Sequence, residues 1–284
     1  MRVLVTGSYG RCGTALIDHL ADDSDYEFTY LDRSNPADGH PYGGFDTVVA
    51  EVGAEDDQGT IRDAMAGQDA IVHLAAYPHV ESTWTDVHGP NVEGTNAVLS
   101  AASDAGVESV VFASTNHVQG AFEDERAPAL YEPDYGLELD QDDPVRPDSY
   151  YGTSKAFGED LGRFFVENRE FPRRFYALRI CSVRAPPYDH PYGDAERAVA
   201  AGEAERGSPA YERKVARMKA MWHSRRDFAQ LVDRCLQDDS VTFDVFNGVS
   251  DNDRRWFSIE RARSVLGYES QDNAEEWDTP PTSG

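Results

Sequence analysis

The chain has 284 residues, with 52 acidic against 26 basic side chains and a formal net charge of −26. A polyanion repels phosphate backbones and anionic lipid, which argues against a general nucleic-acid or membrane surface; any anion it binds must meet a local positive site. Hydrophobic residues at 40% are enough for a core, so disorder is set aside.

Short β-branched runs alternate with helical periodicity through the first 180 residues. Residues 2–6 read as a strand, 11–21 as a helix, 28–32 as a strand, 59–66 as a helix and 70–75 as a strand. Residues 91–105 then read as a helix, 109–114 as a strand, 149–168 as a helix and 175–180 as a strand. This alternation predicts βαβ units and an α/β, Rossmann-like, doubly wound parallel sheet. Acidic or Pro-rich stretches at about 120–148 and 183–212 are too long for simple connections and read as active-site loops or a small lid. A helix over 225–237 and a strand over 241–247 return to the sheet. The expected domains are therefore 1–182 with 225–248 for the nucleotide, and a discontinuous substrate part from 183–224 and 249–284.

Thr6-Gly7-Ser8-Tyr9-Gly10-Arg11-Cys12-Gly13 lies between the first strand and the first helix. Gly7, Gly10 and Gly13 permit a tight turn, close backbone approach to a pyrophosphate and helix packing. The helix opening at Arg11 and Cys12 then aims free N–H groups at the phosphates. Asp32 follows at the end of the second strand, where a carboxylate accepts from an adenosine ribose. Its charge opposes a 2′-phosphate, so NAD is expected; Arg33 beside it leaves NADP as a weaker cosubstrate. Glu51 and Val52, taken as the end of the third strand, are candidates for the adenine edge. His73-Leu74-Ala75-Ala76 offers small residues beside the nicotinamide ribose, with His73 itself read as packed. Asn91 reads as a helix cap, as a polar group behind the cofactor, or as both.

Tyr151 and Lys155 stand one helical turn apart on one face. A neighbouring cation lowers a phenol's pKa from about 10 towards neutrality, which makes Tyr151 a candidate general base, and the same ammonium can hold a ribose. Ser114-Thr115-Asn116-His117 follows the strand 109–114, where a hydroxyl sits beside that phenol. Together these motifs resemble the extended short-chain dehydrogenase/reductase family, the NAD-dependent epimerases and dehydratases, along the whole chain. Within that family the segments STNH, RPDSYYGTSKAFGED, Arg179-Ile-Cys-Ser182 and Ser250-Asp-Asn-Asp are similar to two branches, the uronate dehydrogenases and the NAD-dependent glucose-6-phosphate dehydrogenases of halophilic archaea.

The resemblance implies oxidation of a cyclic sugar at C1 to a lactone. It places Thr115 where the family has its catalytic Ser, and Asn116, His117 and Ser182 against sugar hydroxyls. Arg217, five residues before Trp222, takes the place of a basic residue facing an anionic C6. Arg213, Lys214 and Lys219 lie close by in sequence, and that local excess of positive charge favours glucose 6-phosphate over a hexuronate or a neutral aldose. Exposed helix surface is the bland reading of the same residues. A nucleotide-sugar epimerase or dehydratase and a non-catalytic NAD(P)-sensing protein are the alternatives to a sugar dehydrogenase. The first needs more room than this C-terminal part offers, and a sensor has no need of the phenol. The helices 91–105 and 149–168 offer a seam for a homodimer.

Only three of the 26 basic residues are lysines, Lys155, Lys214 and Lys219. An acidic surface almost without lysine is expected of a halophilic protein, where screening over about 3 Å at molar salt removes self-repulsion. No run of 18 apolar residues is present, so the reading is a cytoplasmic protein with no membrane partner. Cys12, Cys181 and Cys235 form neither a disulfide framework nor a zinc pattern, and no metal is expected. Thermal stability is expected to rise between dilute buffer and about 2 M KCl. Melting curves that do not move over that range would remove the halophilic reading.

Overall fold

The computed structural model describes residues 1–37 and 39–281. Seven strands, β1 (Arg2–Thr6), β2 (Glu27–Asp32), β3 (Thr47–Val49), β4 (Ala70–His73), β5 (Ser109–Thr115), β6 (Arg174–Ile180) and β7 (Phe243–Gly248), pair in parallel in the order β3-β2-β1-β4-β5-β6-β7. The chain winds outward in both directions from β1 and β4. That reversal opens a crevice beyond their carboxyl ends, where Thr6 and His73 are in register.

The side chains of β1 alternate between two cores, as the period of a strand requires. Val3 and Val5 pack with Leu16 of α1 (Arg11–Leu20) and with Phe228 and Leu231 of α9 (Arg225–Gln237). Leu4 lies on the other face with Ile61 of α2 (Gln58–Met65), Leu99 of α4 (Gly94–Ala105) and Phe165 of α6 (Tyr150–Asn168). The long helix α6 lies unusually near the sheet. A Cβ at Gly158 would stand 2.3 Å from the Phe112 ring, and one at Gly162 would stand 2.2 Å from Phe175. Between these glycines, Glu159 receives Arg179 Nε at 3.0 Å and Nη2 at 2.8 Å, and Ser114 Oγ donates to the same carboxylate at 2.5 Å. Ser149 caps the helix by accepting from the Gly152 N–H at 3.0 Å.

Three differences from the sequence reading have physical causes. The third strand stops at Val49: Ala50 N–H still donates to Asp32 O, but the Glu51 N–H turns away to Asp57 Oδ2 at 2.7 Å. Glu51 and Val52 therefore lie past the strand, not at its end, with Glu51 exposed and Val52 buried. The helix expected over 91–105 begins as a π-helical turn, His88–Glu93, after the short α3 (Trp84–Val87), and becomes α-helical only at Gly94. Pro90, which has no N–H to give, sits in that turn. The stretches 120–148 and 183–212 are not open loops. They carry α5 (Ala121–Arg126), α7 (Gly193–Ala200) and the start of α8 (Pro209–Met221), the last begun by a Ser208 cap and Pro209.

Helices α7 and α8 share small apolar clusters with the C-terminal stretch: Tyr192, Tyr211 and Val215 with Trp277, and Met218 and Trp222 with Ala274. Among the described residues no helix is long and apolar enough to cross a membrane.

Candidate active site

Gly7 has φ +72°, and a Cβ there would stand 2.7 Å from Ala75 N. The loop after β1 therefore lies directly on the segment after β4, an approach only glycine allows. A Cβ at Gly13 would meet Ser8 O at 2.3 Å, so the start of α1 is pressed onto the same loop. Gly10 is the N-cap and brings no side-chain cap bond, and the first turn of α1 holds no acidic residue. Its N–H groups are thus left for an anion, with the positive end of the helix dipole behind them. Asp32 accepts from Tyr9 N–H at 2.9 Å and from Arg33 N–H at 2.8 Å, which fixes the carboxylate beside the glycine loop; Arg33 is exposed.

The crevice holds a cavity of about 420 Å³. Arg11, Cys12, Leu74 and Ala76 line its nucleotide side, while Thr115, Asn116, His117, Tyr151, Lys155, Ser182 and Arg217 line the other. The structure thus brings together residues from α1, β5, α6 and α8, the farthest, Arg11 and Arg217, 206 positions apart in the chain. Ala75 sits at the glycine loop. Glu51 and Val52 do not line the cavity, and His73 is buried behind it, bonded through Nδ1 to Thr6 Oγ1 at 2.7 Å. Asn91 is no helix cap. Its amide is spent on Tyr77 N–H (2.7 Å), Tyr77 O and Ser154 Oγ (2.9 Å), so it ties the segment after β4 to α6 from behind.

Lys155 is buried, and among the described residues its Nζ has no hydrogen-bond partner; it stands 4.7 Å above the centre of the Phe112 ring. An ammonium in that state lacks an oxygen, and a ribose hydroxyl would supply one. Burial lowers its pKa to about 7. Burial also pushes the Tyr151 phenol up to about 12, with the Thr115 hydroxyl and the Arg11 charge opposing the rise. This corrects the expectation of a phenol lowered by its lysine: desolvation dominates both groups in the protein alone. The Cys12 thiol is likewise raised by burial, to about 11, and stays uncharged beside the glycine loop.

Arg217 reaches the cavity with its guanidinium already engaged. Nε donates to Glu123 Oε1 at 2.6 Å and Nη2 to Oε2 at 3.0 Å, and Tyr131 anchors the carboxylate at 2.8 Å. Of the neighbouring bases, Arg213 and Lys214 are exposed, and Lys219 pairs with Glu275 at 3.2 Å, so the excess of charge seen in sequence does not converge on the cavity. Glu123, Arg184 with its partner Asp194, and Asp148 are site-region residues that the sequence reading missed. For Asp148 a signal existed, since it directly precedes the helix cap Ser149. A separate cleft of about 520 Å³ between α8 and the C-terminal stretch has its cations paired, Arg206 to Glu196 and Arg254 to Glu275.

The parallel sheet, the glycine loop at its switch point and the Tyr151/Lys155 pair define a short-chain dehydrogenase/reductase fold with a dinucleotide site. Residues 3–243 match the model of the NAD dependent epimerase/dehydratase family, and the chain belongs to that family, with NAD as its cofactor. It is 36% identical over 276 residues to an NAD-dependent glucose-6-phosphate dehydrogenase of Haloferax volcanii, covering 97% of this chain and 95% of that one. It is 32% identical over 281 residues to an L-arabinose 1-dehydrogenase (NAD(P)(+)) of the same organism, covering 96% and 97%. A mutant uronate dehydrogenase of Agrobacterium tumefaciens complexed with NAD superimposes with a TM-score of 0.71 at 26% identity, covering 99% of this chain and 91% of that one. The chain is an NAD-dependent oxidoreductase of the sugar dehydrogenase kind.

A buried ammonium without a partner weakens the fold. The folded pKa of Lys155, about 7, lies below the ordinary 10.5, so the unfolded chain binds this proton more tightly. Stability therefore rises with pH between those values, and the penalty is largest below pH 7. Lys155→Met is expected to raise the melting temperature of the cofactor-free protein at about pH 6 and to do so much less at about pH 10. Equal shifts at both pH values would contradict the burial argument.

Proposed function

We propose that this protein oxidises an aldose at C1 to the lactone, with NAD as cosubstrate. The observation that carries the proposal is the gathering of Tyr151, Thr115 and Lys155 on one wall of the cavity beside the glycine loop. Tyr151, whose ionisation the Lys155 ammonium would favour in the filled site against the burial that raises its pKa, takes the proton of the C1 hydroxyl as phenolate, and Thr115 hydrogen-bonds the same oxygen. NAD, when bound, supplies the hydride acceptor. Lys155 holds the nicotinamide ribose, the Arg11 and Cys12 backbone receives the pyrophosphate, and Asp32 takes the adenosine ribose, with Glu51 and Val52 towards the adenine. Leu74, Ala75 and Ala76 keep the wall beside the nicotinamide ribose low, and Asn91 holds that segment in place. The parts 183–224 and 249–284 form the substrate side, where Asn116, His117 and Ser182 meet sugar hydroxyls.

Glucose 6-phosphate is the sugar we propose first, supported by the 36% identical relative and by an arginine at the cavity wall. A guanidinium fork suits an anion at C6. The hold of Glu123 on Arg217 favours a second reading, a neutral aldose, because the pair carries no net charge and offers only its remaining N–H groups. NADH formation in molar KCl on glucose 6-phosphate, glucuronate, glucose and L-arabinose, with NAD and NADP side by side, separates these readings. Under the first, Arg217→Ala raises KM for the phosphate at least about tenfold and leaves glucose unchanged; a wild type that prefers glucose or arabinose selects the second. Tyr151→Phe is expected to abolish turnover while keeping NADH affinity within about threefold, and retained turnover would remove the general base.

The outer face of α6 carries Tyr150, Phe157 and Phe164 at seven-residue spacing, all exposed, with Trp84 edge-on to Tyr150. This stripe supports a homodimer formed through α4 and α6. Phe157→Glu combined with Phe164→Glu is expected to give monomers by sedimentation velocity. A wild type that already sediments as a monomer would overturn the seam.

A further inference from the structure

His117 Nδ1 and Asp148 Oδ2 are 2.5 Å apart, with the two side chains 18% and 7% exposed. The backbone is built around this pair on both sides. A Cβ at Gly120 would stand 1.9 Å from Asp148 Oδ2, and one at Gly152 would stand 2.3 Å from His117 O. The other carboxylate oxygen of Asp148 accepts from Ser149 Oγ at 2.7 Å, and Ser149 caps the helix that bears Tyr151 and Lys155. Burial works against the charge on Asp148, yet the hydrogen bonds of His117 and Ser149 hold its carboxyl below the usual range. An ionised acceptor at Nδ1 keeps the proton on that nitrogen and leaves Nε2 as a lone-pair acceptor. Among the described residues Nε2 has no protein partner, and His117 lines the cavity with its ring centre 6.1 Å from that of Tyr151.

We propose that Asp148 is a positioning residue: it locks His117 in the Nδ1–H tautomer so that Nε2 accepts a hydrogen bond from the sugar's C2 hydroxyl. The inference rests on the reading of the site as an aldose C1 dehydrogenase. Tyr151 is assigned the C1 oxygen there, and the group beside it on the same wall meets the vicinal oxygen. The pair thereby selects sugars that carry a C2 hydroxyl and orients C1 towards the phenol. A carboxylate serving only as a stabilising partner for the helix cap would have no such selectivity.

The test is Asp148→Asn, which keeps the size that the Gly120 cradle admits. The amide can donate to Nδ1, which drives the proton to Nε2 and turns the acceptor into a donor. On the best sugar of the panel, KM is expected to rise at least about tenfold, with kcat and NADH affinity changed less than about threefold. The decisive reading is the ratio of kcat/KM for glucose to that for 2-deoxyglucose, or for the two 6-phosphates. A wild-type ratio of about ten or more should collapse to within about twofold in Asp148→Asn and in His117→Ala.

Nitrogen-15 spectra, assigned with His117→Ala, should show His117 protonated at Nδ1 in the wild type. If Asp148→Asn does not fold, His117→Ala and the wild-type spectrum still decide. An unchanged ratio in the variants, a wild type indifferent to the C2 hydroxyl, or an Nε2–H tautomer overturns the proposal. Absence of oxidation on every sugar, with the tautomer as expected, would instead fault the assigned reaction.

Discussion

The close seating of α6 on the sheet is the constraint from which the site follows. Two glycines let the helix sink onto Phe112 and Phe175, and the Glu159–Arg179 pair between them is bidentate and almost fully buried. Such a pair stabilises only while both partners are present; the loss of either leaves a charge in a dry interior. Its geometry fixes the helix in rotation as well as in height, because Ser114 of β5 and Arg179 of β6 grip the same carboxylate. Lys155 and Tyr151, one and two turns before Glu159, are thereby aimed at the ends of β4 and β5. The ammonium over the Phe112 ring is a result of the same close approach.

Charge is distributed to the same end. In a chain with a net charge of −26, most arginines near the surface are tied to carboxylates, which leaves little positive potential to attract anions. The crevice differs. Arg11 has no ion-pair partner among the described residues, and burial together with Arg184 and Arg197 lowers its pKa. These arginines share the single carboxylate of Asp194. The local surplus stands beside the first turn of α1, where a pyrophosphate would meet it.

Much of this was legible in the sequence because it is encoded locally. The strand and helix alternation, the glycine spacing and the Tyr151/Lys155 interval each lie within a few turns of chain, and helix 225–237 has the expected ends. What was not legible depends on residues far apart. Glu123 is 94 positions from Arg217, and nothing in RMKAMW announces that its arginine is already bonded to a carboxylate. The clustering of Arg213, Lys214 and Lys219 in sequence is dispersed by the helix, which sends neighbouring residues to different faces. Spacing puts the phenol and the ammonium on one face of α6, and both line the cavity, but the direction of the phenol's shift depends on burial, which spacing does not report.

Lys155 has a consequence outside catalysis. Burial holds the Lys155 amine below its ordinary pKa, which leaves more of it unprotonated and nucleophilic at neutral pH than an ordinary lysine, and the residue lines a cavity in a chain with only two other lysines. A small acylating or reductively alkylating reagent that enters the crevice therefore has a privileged target. Occupation of the crevice can then be read as protection of Lys155 from the label, with peptide mapping separating it from the N-terminal amine.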